Sequence, residues 1–90
     1  MEELFSYSKS IPYEADEFYV FRHPRERRKY AVHIDGGCSC YEGIQVSLAE
    51  LEGYTPMGKR EVYAEFSKWW NDDDCMGTKI DVLQSLRDAL

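Results

Sequence analysis

Two runs of strand-forming residues, separated by a charged segment containing a proline, constrain the fold of this chain more than any other feature. Phe18-Tyr19-Val20-Phe21 is aromatic and β-branched, which suits a pleated surface better than a helix. Tyr30, Val32 and Ile34 alternate with Lys29, Ala31 and His33, the period of two expected of a half-buried strand. Between these runs, His23-Pro24-Arg25-Glu26-Arg27-Arg28 interrupts the strand and concentrates charge that must stay solvated. The spacing predicts a β-hairpin over 17–35 with a basic tip. Residues 1–16 mix serine, tyrosine and acids with Pro12, and are an N-terminal arm to which the sequence assigns no definite element.

Gly36-Gly37-Cys38-Ser39-Cys40 follows the second run, and its glycines leave the backbone free to turn sharply. Residues 36–46 therefore read as a turn, the hinge between the hairpin and a helical part over 47–90. Ser47-Leu48-Ala49-Glu50 has the form of a capping box opening a short helix that Gly53 stops. Thr55-Pro56 predicts the start of a main helix, with Thr as cap and Pro at the first helical position, where its missing N–H is not needed. Val62, Phe66, Trp69 and Trp70 form a helical stripe, so that helix should run from about Pro56 to Asn71. Asp72-Asp73-Asp74 ends it, since anions oppose the helix dipole there. Thr78 and Asp81 restart the pattern, and Ile80, Val82, Leu83, Leu86 and Leu90 give a final helix, Lys79 to Ala89, an apolar face. The short connection suggests that the last two helices pack antiparallel. A hairpin followed by helices is an α+β order: a small antiparallel hairpin or sheet packed against two main C-terminal helices and a shorter one.

Ninety residues make one domain, because a chain of this size buries only about 60% of the surface its unfolded form exposes. Seven Tyr, four Phe and two Trp must supply much of that core, each burying on the order of 150–250 Å². No window of about 18 apolar residues exists, and Met1-Glu2-Glu3-Leu4-Phe5 lacks the basic and apolar regions of a leader, so a cytoplasmic protein without membrane contact is expected. An odd number of cysteines, three, argues for reduced thiols rather than a disulfide framework. Charge is uneven: residues 22–29 carry five basic groups against Glu26, whereas residues 30–90 carry five against eleven acids. An acidic body with one basic tip makes nucleic-acid binding an unfavoured reading, since that mode needs an extended positive surface.

Five features carry possible chemistry or binding. Cys38 and Cys40 with His33 or Cys75 could give zinc a thiolate and imidazole site, although the C-x-C spacing is shorter than usual and His33 falls on the strand face opposite Tyr30, Val32 and Ile34. Without zinc, the same thiols serve as small buried hydrophobes. A nucleophilic trio can be written from Cys38 or Cys40, His33 or His23, and Asp35, and would make a thiol-dependent enzyme, but it rests on no spacing rule. Arg25, Arg27 and Arg28 in the tip can dock carboxylate or phosphate, or merely keep the hairpin solvated and an edge unpaired. Trp69 and Trp70 lie ~100° apart on a helix, so both cannot point into one small core, and one of them with Tyr63 is expected on a partner or self-association surface. The acidic surface can act as a phosphate mimic or serve solubility alone.

An aromatic strand, a charged turn, a strand ending in His33-Ile34-Asp35-Gly36-Gly37-Cys38-Ser39-Cys40, then Thr55-Pro56-Met57-Gly58-Lys59-Arg60-Glu61-Val62-Tyr63, a Trp-bearing helix and a Leu-rich helix resemble a group of small uncharacterised proteins encoded by bacteriophages of actinobacteria. The resemblance covers about residues 17–90, and its most specific element is Gly37-Cys38-Ser39-Cys40. It implies a phage accessory protein working in the host cytoplasm, and carries over no catalytic residue. The expected function is thus a non-enzymatic interaction module without cofactor, binding a host or phage protein or a second copy of itself. A zinc-stabilised module is the alternative and a thiol enzyme the third reading.

Overall fold

A computed structural model describes residues 2–9, 14–38, 46–73, 75 and 77–90. Three strands, β1 (Glu3–Ser8), β2 (Glu14–Arg22) and β3 (Tyr30–Cys38), form an antiparallel sheet in the order β1-β2-β3. Three helices follow, α1 (Leu48–Glu52), α2 (Lys59–Trp69) and α3 (Lys79–Ala89), so the chain is α+β as its pattern predicts.

The central strand explains the layering. Phe18 and Val20 are buried on one face of β2, Tyr19 and Phe21 on the other. Such a run loses its water on both sides only if both faces are covered. The first face packs with Tyr30, Val62, Phe66, Trp69, Cys75 and Leu86, beneath α2 and α3. The second packs with Ala31, Val46 and Leu51, and Tyr54 leans on it beside the short α1. Ile34 shares the first face with Phe18 but stands on the edge strand, and is 48% exposed.

Several elements depart from expectation for reasons the coordinates make visible. The N-terminal arm supplies β1, which pairs with β2 and sends Phe5 and Tyr7 to the helix-covered face. Gly36 and Gly37 are not a turn: β3 runs through them, opposite Asp16 and Ala15, as far as Cys38. The rest of the expected hinge, residues 39–45, lies outside the described residues.

The main helix starts at Lys59 rather than Pro56, because Met57 makes a two-bond bridge to Tyr30: Tyr30 N donates to Met57 O at 2.8 Å and Met57 N to Tyr30 O at 2.9 Å. That bridge holds 55–57 extended, and Glu61 Oε1 instead accepts from Gly58 N at 3.4 Å at the true helix start. The other two starts are as expected, with Ser47 accepting from Glu50 N at 3.2 Å and Thr78 from Asp81 N at 3.3 Å. Gly77 enters α3 with φ +82°, a conformation that favours glycine.

Candidate functional site

The basic tip is held by a buried histidine. His23, 2% exposed, sits just past the end of β2. Its Nδ1 accepts from the backbone N–H of Arg25 and of Glu26, both at 3.1 Å. Its Nε2 lies 2.9 Å from the carbonyl oxygen of Tyr54. Only the neutral tautomer with its proton on Nε2 satisfies all three groups at once. Arg22 Nη1 donates to Arg27 O at 3.0 Å, and Lys29 N to Glu26 O at 2.7 Å, closing the loop from the other side.

Arg25, Arg27 and Arg28 therefore stand exposed on backbone that is fixed at both ends. Arg25 comes within 3.8 Å of Glu52, an exposed pair of little energetic weight. A cleft of about 440 Å³ opens between the tip and α1, lined by charges of both signs: Arg22, Arg27, Glu2 and Glu52. Sequence reasoning offered His23 only as a general base. The signal for its structural role is its position, the first polar residue after a buried strand and before a proline.

A second polar cluster lies on the α1 face of the sheet. His33 Nδ1 is 2.5 Å from the Tyr54 hydroxyl, and the two rings stack with centroids 5.9 Å apart. His33 Nε2 lies 3.0 Å from Asp35 Oδ2 but off the axis of a hydrogen bond, so this buried nitrogen has no well-aligned partner among the described residues. Cross-strand from Asp35, Glu17 Oε2 accepts from the Tyr19 hydroxyl at 2.5 Å and the Ser8 hydroxyl at 3.1 Å.

Burial, and then the negative charges of Glu50 and Asp35, push the Tyr54 hydroxyl above its ordinary value of 10.0. The phenol thus keeps its proton, within hydrogen-bond reach of His33 Nδ1. A group whose folded-state pKa is raised stabilises the fold below the unfolded value and loses that contribution as pH climbs through the folded one. Tyr54 is therefore expected to destabilise the fold only above pH 10. Urea midpoints followed into the alkaline range should fall less in Tyr54→Phe than in the parent; parallel curves would show that Tyr54 contributes nothing to the loss.

The remaining candidates are scattered. Cys75 is buried among Phe18, Phe66, Trp69 and Leu86, on the sheet face opposite His33, so these two cannot ligate one ion. The side chain of Cys38 and all of Cys40 lie outside the described residues. Among the described residues, no three His, Cys, Asp or Glu side chains converge as metal ligands.

Of the tryptophans, Trp69 is the inward one, and its place on a partner surface is corrected accordingly. Its Nε1 donates to Asp16 Oδ1 at 2.8 Å, its ring packs on Phe18 and Phe66, and Lys9 Nζ lies 4.7 Å above it. Trp70 is half-buried against Tyr7 and Phe66, with Nε1 bonded to Asp72. Tyr63 is half-buried beneath the Arg87 guanidinium, 5.5 Å away.

No curated protein and no solved structure matches the chain. A family model does, a domain of unknown function designated DUF7574, over residues 1–90. With the whole sequence matched, the chain belongs to the DUF7574 family.

Proposed function

We propose that this chain is a non-enzymatic protein-interaction module that offers Arg25, Arg27 and Arg28 to an acidic surface of a partner protein. In the setting that the phage resemblance implies, it is a phage accessory protein acting on a host factor in the host cytoplasm. One observation carries the reading: the backbone under those arginines is fixed by His23. A tip that served only solubility would need no buried imidazole to shape it. Fixing a basic loop in advance lowers the ordering cost of binding, and guanidinium forks match carboxylates two bonds at a time.

The charge distribution favours a protein over a nucleic acid. An acidic body repels phosphate backbone everywhere except at the tip, whereas an acidic protein patch the size of the tip meets complementary charge alone. Tyr63 on α2 and Trp70 at its C-terminal cap, both half-exposed, are the apolar complement available to the same or another partner.

The test is capture from host lysate with the parent and with the triple variant Arg25→Glu, Arg27→Glu, Arg28→Glu, whose sites are exposed. The captured protein should bind the variant about tenfold more weakly or worse, mostly through slower association. Equal capture by both chains would sink the reading. So would a tip-dependent, steeply salt-sensitive nucleic acid in the captured fraction.

A further inference from the structure

Beyond Tyr30, the outer edge of β3 has no backbone partner among the described residues. Tyr30 sends its N–H and C=O away from β2, to Met57, so the alternation of an antiparallel strand points those of Val32, Ile34 and Gly36 the same way. Among the described residues, none takes up these groups. The opposite edge is guarded, since β1 carries a register shift between Glu3 and Phe5 of the kind that bends an edge away from pairing. β3 has no such shift against β2 and contains neither lysine nor proline. Half-exposed Ile34 lies at the middle of this open edge.

We infer that β3 pairs antiparallel with β3 of a second copy, about a two-fold axis through Ile34, so that two three-stranded sheets become one. The register follows from charge. With the axis at Ile34, Val32 faces Gly36 of the second copy, and His33 faces its Asp35. Moving the axis to Asp35 sets two carboxylates directly against each other, a destabilising pair. Moving it to His33 sets the two imidazoles against each other and brings Gly36 of the second copy onto Tyr30, whose outward groups Met57 already takes; with the axis at Ile34 only Cys38, the last residue of the strand, reaches that position, so the pairing runs over residues 32–36. Moving it to Gly36 gives up the match between imidazole and carboxylate.

The pairing completes what the single chain leaves open. The outward groups of Val32, Ile34 and Gly36 form about six main-chain hydrogen bonds across the axis. The two Ile34 side chains cover each other on the helix-covered face. Main-chain bonds supply affinity in such strand addition, and side chains set its register. A strand that is its own partner satisfies the self-complementarity of a two-fold interface. The pairing stands independently of the role proposed for the basic tip, and places the two tips at opposite ends of the joined sheet.

Light scattering or sedimentation of the full chain over a concentration series tests it. The expected mass is twice 10.6 kDa. Ile34→Lys sets two cations together at the axis, and Ile34→Pro removes an N–H that points away from β2, a substitution an edge tolerates. Each should raise the dimer dissociation constant about tenfold or more, while circular dichroism keeps the parent signature. If the proline variant fails to fold, the lysine variant decides, because position 34 is half-exposed in the monomer and a lysine there can reach solvent. A parent chain that stays at 10.6 kDa throughout overturns the inference. A dimer that the folded variants leave as tight as the parent overturns it equally.

Discussion

Phe66→Ala is expected to remove a large share of the protein's stability. Phe66 is fully buried and is the ring on which the helix-covered core converges, meeting Phe18 and Phe5 edge-on at 5.2 and 6.0 Å and Trp70 and Trp69 at 5.6 and 5.9 Å. Removing a buried phenyl ring costs about 3–5 kcal/mol, transfer and cavity together. A domain of this size has only about 5–13 kcal/mol in total. Neighbours from β1, β2 and α2 cannot all collapse into one cavity, which places the cost toward the upper end. Urea denaturation gives the value directly. A loss below about 1 kcal/mol would mean that the core repacks freely and that the ring contacts described here are not what holds α2 to the sheet. Phe66→Leu, which keeps most of the volume, should lose about 1.5 kcal/mol or less.

His23→Ala is expected to cost about 2–3 kcal/mol and to weaken partner binding with every arginine still in place. The alanine leaves two loop amides and the Tyr54 carbonyl without the ring that joined them, and a buried group deprived of its partner costs about 1–3 kcal/mol. Part of that returns as the loop swings out to water, which is why the sum falls short of three full penalties. The released loop then pays its ordering cost on binding. Amide hydrogen exchange at Arg25 and Glu26 should accelerate well beyond the global change in stability. Unchanged protection there, or unchanged affinity for the captured partner, would show that the tip is shaped without His23.

These two residues illustrate what could and could not be read from the chain. Phe66 was legible as core because it repeats with Val62 and Trp69 at helical spacing. The boundaries of α3 were legible because Thr78 and Asp81 announce them locally. The start of α2 was not, since Thr55-Pro56 carries a strong local cap signal that a distant bond from Tyr30 to Met57 overrides. β1 escaped notice because only Phe5 and Tyr7 mark its inward face, too short a pattern to stand out. The polar site was the least visible part. His23 and Tyr54 are separated by 31 residues, and Tyr54 and His33 by 21, and no periodicity links one element's ring to another's backbone. Charge at the tip could be read along the chain, but not the imidazole that fixes it.

The central strand has a consequence for misfolding. In a sheet with one wet face, slipping a strand by one residue turns its apolar side chains into water, and the penalty enforces the correct alignment. β2 has no such safeguard over Phe18-Tyr19-Val20-Phe21, since a slip merely exchanges Phe18 and Val20 for Tyr19 and Phe21 between two dry layers. Alignment must be policed by polar clamps at the ends of the strand: Asp16 on the Trp69 indole and Glu17 on the Ser8 hydroxyl of β1 at one end, His23 on Tyr54 at the other. Loosening those clamps should therefore yield, beside a less stable native state, a compact and helix-bearing chain whose strands are misaligned by one position.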